Sequence, residues 1–340
     1  MNDVPFIELA GRPRERGLAH GGAIAGRLRA FLDDSLARLD HLIDQPLDRG
    51  SVRRAIATHR DAVAEALPDL AEEVDGLAAG ADIDHDEAWL LQLRRELLGY
   101  SRVTAGDCTT YTSVRGRPIL AQTVDLNGNL DDQIAVLAVS GARHRSLVLS
   151  FGGLLGYLGV NDAGVAIGLN LVIGGAWTPG VPPYLAIRHI LDNADSVDQA
   201  VEILGGLKLA SSRSFTICGV DRAVCVEALG EERRILERAD LVHTNHFLHP
   251  DFAVHDEINV FAKNSSKRRL EAVHAVGIPR ADDVEGHHRL LSGRPINVAD
   301  NGDIRRERTV AAVMLHPDTG ELRLWPGDPA VEKEHLWALR

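Results

Sequence analysis

Gly106-Asp107-Cys108-Thr109-Thr110-Tyr111-Thr112-Ser113 is the point at which the 340-residue sequence changes character. Upstream, apolar residues recur every three or four positions, the period of one helical face. Downstream, the period drops to two and glycine turns separate short segments. Cys108 stands on the seam. The β-branched residues Thr109, Thr110, Thr112 and Val114 follow it, which makes it the expected first residue of a strand.

Working upstream, Phe6–Gly11 reads as an edge strand, and Arg16-Gly17-Leu18-Ala19-His20-Gly21-Gly22 as a glycine-punctuated turn. Leu28, Phe31, Leu32, Leu36, Leu39, Leu42 and Ile43 predict one amphipathic helix. A second helix is expected from a Ser51 cap to a break at Pro68, and a third over 70–79 with Gly80 at its C-cap. Asp84 with Glu87 three residues on is a capping-box pattern, and Trp89, Leu90, Leu93, Leu97 and Leu98 continue that helix.

Downstream, strands are predicted at 108–114, 118–125, 133–140 and 145–151, then a hairpin turning at Asn161-Asp162-Ala163-Gly164. Helices return at 183–192 and 196–204, strands at 215–220, 223–229 and 241–244. Ser265 or Ser266 is expected to cap a helix to Val276, and the segment from Thr309 to Trp325 closes the chain as a hairpin. Antiparallel hairpins with helices in pairs imply two sheets with helices outside them.

Composition narrows the function. A net charge of −12 excludes nucleic acid and anionic membrane as natural partners, since both demand basic patches. It points to neutral or cationic small molecules, although net charge is a poor guide to any one pocket. No stretch has the apolar length of a membrane span, and Met1–Arg16 lacks an apolar signal-peptide core, so the expectation is a cytoplasmic protein. Three cysteines, an odd number, leave at least one thiol free.

Of these, Cys218 and Cys225 lie within apolar strands and read as core. Cys108 begins a strand just after Gly106, which permits the strained backbone that an N→S acyl shift needs. Taken alone Cys108 can still be a small core residue, and the reading pursued is self-cleavage between Asp107 and Cys108. Residues 1–107 then form a mostly helical segment and 108–340 a β-rich segment of one domain. A free thiol near pKa 8.5 is barely ionised at neutral pH, but the freed α-amine, near about 7.7–8.0, is a suitable base.

Two further residues are candidates by position. Asp125 ends the strand paired with that of Cys108, where it can serve either as an active-site acid or as a turn former. Asn245, in His243-Thr244-Asn245-His246, follows a strand and offers two amide donors for a developing oxyanion, or is a loop residue. His243 with His246, and His287 with His288, lack a third ligand at metal spacing, so neither a metal nor a cofactor is expected. Walker, Gly-x-Ser-x-Gly and Gly-x-Gly-x-x-Gly motifs are also missing.

These residues resemble the acyl-CoA:6-aminopenicillanic-acid acyltransferase family, peptidase family C45, of the N-terminal-nucleophile hydrolases. The likeness runs through Ile7–Gly11, Arg16–Gly21, Pro68–Gly76, Cys108-Thr109-Thr110, Gln122–Asp125, Gly159–Gly164, Thr244-Asn245-His246 and Thr309-Val310-Ala311. The resemblance implies an α+β fold of four layers, αββα, self-cleavage before the cysteine, and C–N acyl hydrolysis or transfer through a thioester. By position it makes Cys108 the nucleophile, Asp125 the acid that orients the α-amine, Asn245 the oxyanion donor and Arg308 a catalytic-site arginine. Asp107 stands where the penicillin-processing member has glycine.

An amidohydrolase acting on a small acylated amine is therefore the leading expectation. Acyl transfer to another amine is the alternative, and an unprocessed ligand-binding protein is the reading from outside enzymology. The cleaved fragments are expected to stay associated, and a homo-oligomer is left open.

Overall fold

A computed structural model describes residues 4–43, 48–99 and 108–339. Cys108 is thus described, while Asp107, the other half of the expected cleavage site, lies outside the described residues. The first part of the chain forms β1 (Phe6–Leu9) and the helices α1 (Pro13–Ala23), α2 (Ala25–Asp33), α3 (Leu39–Leu42), α4 (Arg49–Ala66), α5 (Pro68–Ala81) and α6 (His85–Leu98). Strands β2 (Thr109–Ser113), β3 (Ile119–Leu126), β4 (Ile134–Val139), β5 (Ser146–Phe151), β6 (Leu158–Asn161) and β7 (Ala166–Leu171) follow. Next come α7 (Pro183–Asn193), α8 (Val197–Gly206), β8 (Arg213–Cys218), β9 (Ala223–Leu229), β10 (Glu232–Glu237) and β11 (Asp240–His243). The remainder is α9 (Pro250–Ala253), α10 (Val260–Val276), α11 (Val284–Ser292), β12 (Arg308–His316), β13 (Glu321–Pro326) and β14 (His335–Ala338).

The strands make two sheets. One has eight in the order β1-β4-β5-β6-β7-β8-β9-β10, and the other six in the order β11-β2-β3-β12-β13-β14. Every neighbouring pair is antiparallel except β1 with β4. The edge strand expected near the start is therefore real, and it sews the N-terminal segment into the larger sheet.

The sheets face each other, and one side chain shows how closely. Gln122 on β3 donates from Nε2 to Leu169 O on β7 at 2.9 Å and accepts from Leu169 N at 3.0 Å. A Cβ at the neighbouring Gly168 would strike Gln122 Oε1, so glycine is what lets the amide bridge the two sheets. On β2 the period of two sends Tyr111 to the other side, where it packs with Ile119, Ala121 and Met314 against Val273 of α10 and Leu290 and Leu291 of α11. Helices α7 and α8 cover the outer face of the larger sheet. This is the four-layer αββα arrangement.

The N-terminal helices hold the largest departures from the sequence expectations. Arg16–Gly22 is part of α1 rather than a turn. Its glycines serve packing: a Cβ at Gly17 or Gly21 would run into the carbonyls of Glu73 or Leu77 on α5, and one at Gly76 or Gly80 into those of Arg14 or Leu18. Gly80 is accordingly inside α5, which ends at a left-handed Asp82. At the same crossing the buried Glu73 carboxylate accepts from Arg16 Nε at 2.9 Å and from Arg188 Nη1 and Nη2 at 2.9 and 3.0 Å, tying α1, α5 and α7 together.

Other boundaries moved for local reasons. The helix expected through Ile43 is interrupted by four consecutive left-handed residues, Ser35–Arg38. Arg38 holds that turn by donating to Asp34, Asp132 and the carbonyls of Gly128 and Asn129. Asp48 caps α4 in place of Ser51, and Asn259 caps α10 in place of Ser265 or Ser266, adding nearly two turns at its start. The Asp84–Glu87 capping box is present as expected.

Candidate active site

Cys108 sits immediately before β2 and is buried. The β2–β3 register pairs Thr109 with Thr123, which brings the end of β3 alongside Cys108. Asp125 is on that end. It is fully buried within the strand, not in a turn, so the turn-former reading does not hold. Cys108 and Asp125 line one pocket, together with Tyr157, Tyr184, Arg95 and Arg213. A β-bulge in β12 between Thr309 and Ala311 adjoins Asp125, and the Thr309 hydroxyl donates to Asp125 Oδ1 at 2.7 Å. Bulges of this kind re-aim side chains at a site.

The main chain of Cys108 is gripped from two layers. Asn170 on β7 donates from Nδ2 to its carbonyl oxygen at 2.9 Å, and Arg269 on α10 donates from Nη1 to the same oxygen at 2.8 Å. Arg269 Nη1 also reaches Thr109 Oγ1 at 3.0 Å. The Tyr157 hydroxyl lies 3.6 Å from the Cys108 sulfur, and its ring stacks on Tyr184. By contrast, burial pushes the thiols of Cys218 and Cys225 up to about 12, which makes both inert core residues.

Asn245 does not line this pocket. It follows β11 and is connected to Cys108 through one guanidinium, its Oδ1 accepting from Arg269 Nη2 at 2.8 Å. One of its two amide hydrogens goes to Leu171 O at 2.9 Å. Arg308 is further removed. At the start of β12 it donates to Asn129 Oδ1 and pairs with Asp131, on the turn that follows β3. The neighbouring Glu307, rather than Arg308, lines the pocket.

Tyr157, Asn170 and Arg269 were not singled out from the sequence. Arg269 did leave a signal. Ala262, Ser266, Arg269 and Val273 form the buried stripe of α10, so an arginine occupies a helical position whose neighbours are small or apolar. Asn170 likewise interrupts the apolar run of β7.

The histidines behave as structural groups. His287 accepts from the Tyr111 hydroxyl at 3.0 Å through Nδ1 and donates to Arg280 O at 3.0 Å through Nε2, a fully bonded neutral ring, and burial holds it down to about 4. Burial, helped by nearby positive groups, lowers His246 to about 4 as well. Among the described residues no cluster of three or more His, Cys, Asp or Glu side chains could hold a metal ion, and no helix is long and apolar enough to cross a membrane.

Residues 113–330 match the model of the acyl-coenzyme A:6-aminopenicillanic acid acyl-transferase family, and the chain belongs to that family. Asp125, Asn245 and Arg308 fall inside the matched residues, and Cys108 just before them. The chain is 24% identical over 249 residues to the acyl-coenzyme A:6-aminopenicillanic-acid-acyltransferase 40 kDa form of Emericella nidulans, covering 71% of this chain and 69% of that protein. Among solved structures it is similar to a Caenorhabditis elegans N-acylethanolamine-hydrolyzing acid amidase ortholog (TM-score 0.47, 16% identity, 68% of this chain and 100% of that one). It is also similar to the Clostridium perfringens conjugated bile acid hydrolase (TM-score 0.47, 11% identity, 68% and 92%).

Proposed function

We propose that this protein is a self-processing amidohydrolase that cleaves the C–N bond of a small acylated amine through a thioester on Cys108. The observation that carries the reading is the shared pocket of Cys108 and Asp125, with the Cys108 carbonyl fixed by Asn170 and Arg269. Cleavage before Cys108 would convert its amide nitrogen into an α-amine, and a carboxylate beside that amine orients it and favours its protonated form after it accepts the thiol proton.

In the catalytic cycle the thiolate attacks the substrate carbonyl carbon. The resulting oxyanion is received by the second amide hydrogen of Asn245 and by backbone N–H groups. The C–N bond then breaks, the α-ammonium gives its proton to the departing amine, and the acyl group remains on sulfur. Water, deprotonated by the α-amine, attacks the thioester to release the carboxylic acid and restore the thiol. In this reading Arg269 positions Cys108 and Asn245 together, and Arg308 positions the turn that follows Asp125. The pairing of β1 with β4 within the larger sheet supports continued association of the two fragments.

The family match favours a second outcome for the thioester, attack by another amine instead of water. Mixing the protein with a panel of N-acyl anilides, quenching in acid and measuring intact mass tests both. The expected result is an acyl mass on the fragment that begins with Cys108, and added amine acceptors divert product from acid to amide if transfer operates. Amide turnover that survives Cys108→Ala would overturn the reading.

A further inference from the structure

A single buried carboxylate spans the segment that carries Asn245. Glu227 is the only acid of β9, Ala-Val-Cys-Val-Glu-Ala-Leu, and it is fully buried. Its Oε1 accepts from Leu248 N at 2.6 Å and lies 2.8 Å from His243 Nε2, and its Oε2 accepts from His249 N at 3.1 Å. His243 is the last residue of β11 and precedes Asn245, while Leu248 and His249 follow it. Strand β9 belongs to the larger sheet and β11 to the smaller, so the carboxylate straps both flanks of Asn245 to the opposite sheet.

The peptide that enters Asn245 is held at both ends. His243 donates from Nδ1 to Thr244 O at 2.8 Å, and Asn245 N donates to Ser266 Oγ on α10 at 2.8 Å. Ser266 is itself fully buried and also bonds Thr244 Oγ1 at 2.8 Å and His246 Nδ1 at 2.7 Å. With Arg269 on its Oδ1 and Leu171 O on one amide hydrogen, the side chain of Asn245 has a set direction for its second amide hydrogen. A buried carboxylate is costly unless several donors meet it, and an apolar side chain would fill this position of β9 without that penalty. All three groups that Glu227 meets here come from the flanks of Asn245.

We propose that Glu227 is a positioning residue for the oxyanion site: it fixes the 243–249 segment so that the second amide hydrogen of Asn245 points where negative charge develops on the substrate oxygen. This rests on the reading of Asn245 as the oxyanion donor and adds the group that aims it.

Glu227→Gln keeps the shape but puts an NH2 where the carboxylate had its second acceptor, so one of the flanking groups loses its partner. Steady-state kinetics on an N-acyl anilide with the wild type, Glu227→Gln, Asn245→Ala and the double variant form a double-mutant cycle. Glu227→Gln is expected to lower kcat about 10- to 100-fold with KM within about twofold, the loss that follows from a misdirected group. In the Asn245→Ala background, which has no amide left to aim, the same change is expected to lower kcat less than about twofold further. Equal losses on the two backgrounds, or an unchanged kcat in Glu227→Gln, overturn the proposal and leave amide cleavage through Cys108 standing. An Asn245→Ala chain with full kcat removes the oxyanion assignment by itself, and this proposal with it. Hydrogen exchange of the 244–249 amides, read by mass spectrometry, examines the strap without turnover. Exchange is expected to be faster in Glu227→Gln than in the wild type, and equal exchange overturns the proposal. If Glu227→Gln does not fold, Glu227→Asp, one methylene shorter, is read in the same cycle with the same outcomes.

Discussion

Arg269 donates a 2.8 Å hydrogen bond to the carbonyl oxygen of Cys108, and the other arm of the same guanidinium holds Asn245 Oδ1 at 2.8 Å. The nucleophile and the proposed oxyanion donor come from the residue before β2 and the loop after β11, and this fork ties them together. Lysine keeps the charge but loses the planar fork. Arg269→Lys is therefore expected to lower kcat on the order of 10- to 100-fold with KM little changed, because misplacement of a reacting group acts on the chemical step. Steady-state kinetics check this, and an unchanged kcat would reduce Arg269 to a packing residue.

Asn245→Ala is expected to lower kcat by on the order of 10²–10³, the usual loss for one oxyanion donor, with the chain still folded and cleaved. Asp125→Asn should also impair turnover, since an amide neither orients nor stabilises an ammonium. Paired measurements of kcat and thermal midpoint separate this from a structural role, for which the midpoint would fall and kcat of the folded fraction would hold.

Rate against pH should rise through roughly 7–8, as the α-amine loses its proton. A histidine limb near 6 is not expected from His246, next to Asn245, nor from two other buried rings. His246 is held to about 4, and the buried His20 and His287 to about 3 and about 4. These same shifts act on stability. Each folded-state value lies below the unfolded one near 6.5, so the unfolded chain binds protons first as the pH falls. The stabilisation is complete above about 6.5 and is lost progressively down to about 3 to 4. Denaturation midpoints measured from pH 8 to 4 should therefore decline below about 6.5, and a flat profile would contradict the buried neutral rings.

Glu73→Gln probes the joint between the helical segment and the sheets. It removes the carboxylate that faces both Arg16 and Arg188 in a fully buried setting. The expected destabilisation is about 3–5 kcal/mol, typical of breaking a buried pair from one side. Chemical denaturation reads it, and a change below about 1 kcal/mol would show that water reaches the two guanidinium groups.

The strands were the most legible part of the sequence, because their period and turn residues report directly on the local backbone. Residues 223–229 are a strand as expected, and the Asn161–Gly164 turn joins β6 to β7. Arg16–Gly22 misled for a physical reason: glycine is read as a breaker, yet these glycines lie at a helix crossing whose partner, Gly76 and Gly80, is far away in sequence. At the site, Cys108 and Asp125 were visible because a short hairpin makes them neighbours. Tyr157, Asn170 and Arg269 reach Cys108 from the residue before β6, from β7 and from α10, so their roles depend on how the two sheets and the outer helix stack.

The central claim is that one sulfur performs both maturation and catalysis, and the intact mass of the purified protein tests it most directly. The wild-type chain is expected to give two fragments whose boundary lies between Asp107 and Cys108, and Cys108→Ala a single full-length mass with no amide turnover. Cys108→Ser should cleave slowly or not at all, because a hydroxyl is a far weaker nucleophile at neutral pH. A Cys108→Ala chain cut at the same bond would contradict self-processing, and an uncut wild-type chain that still turns over amides would contradict the α-amine as its base.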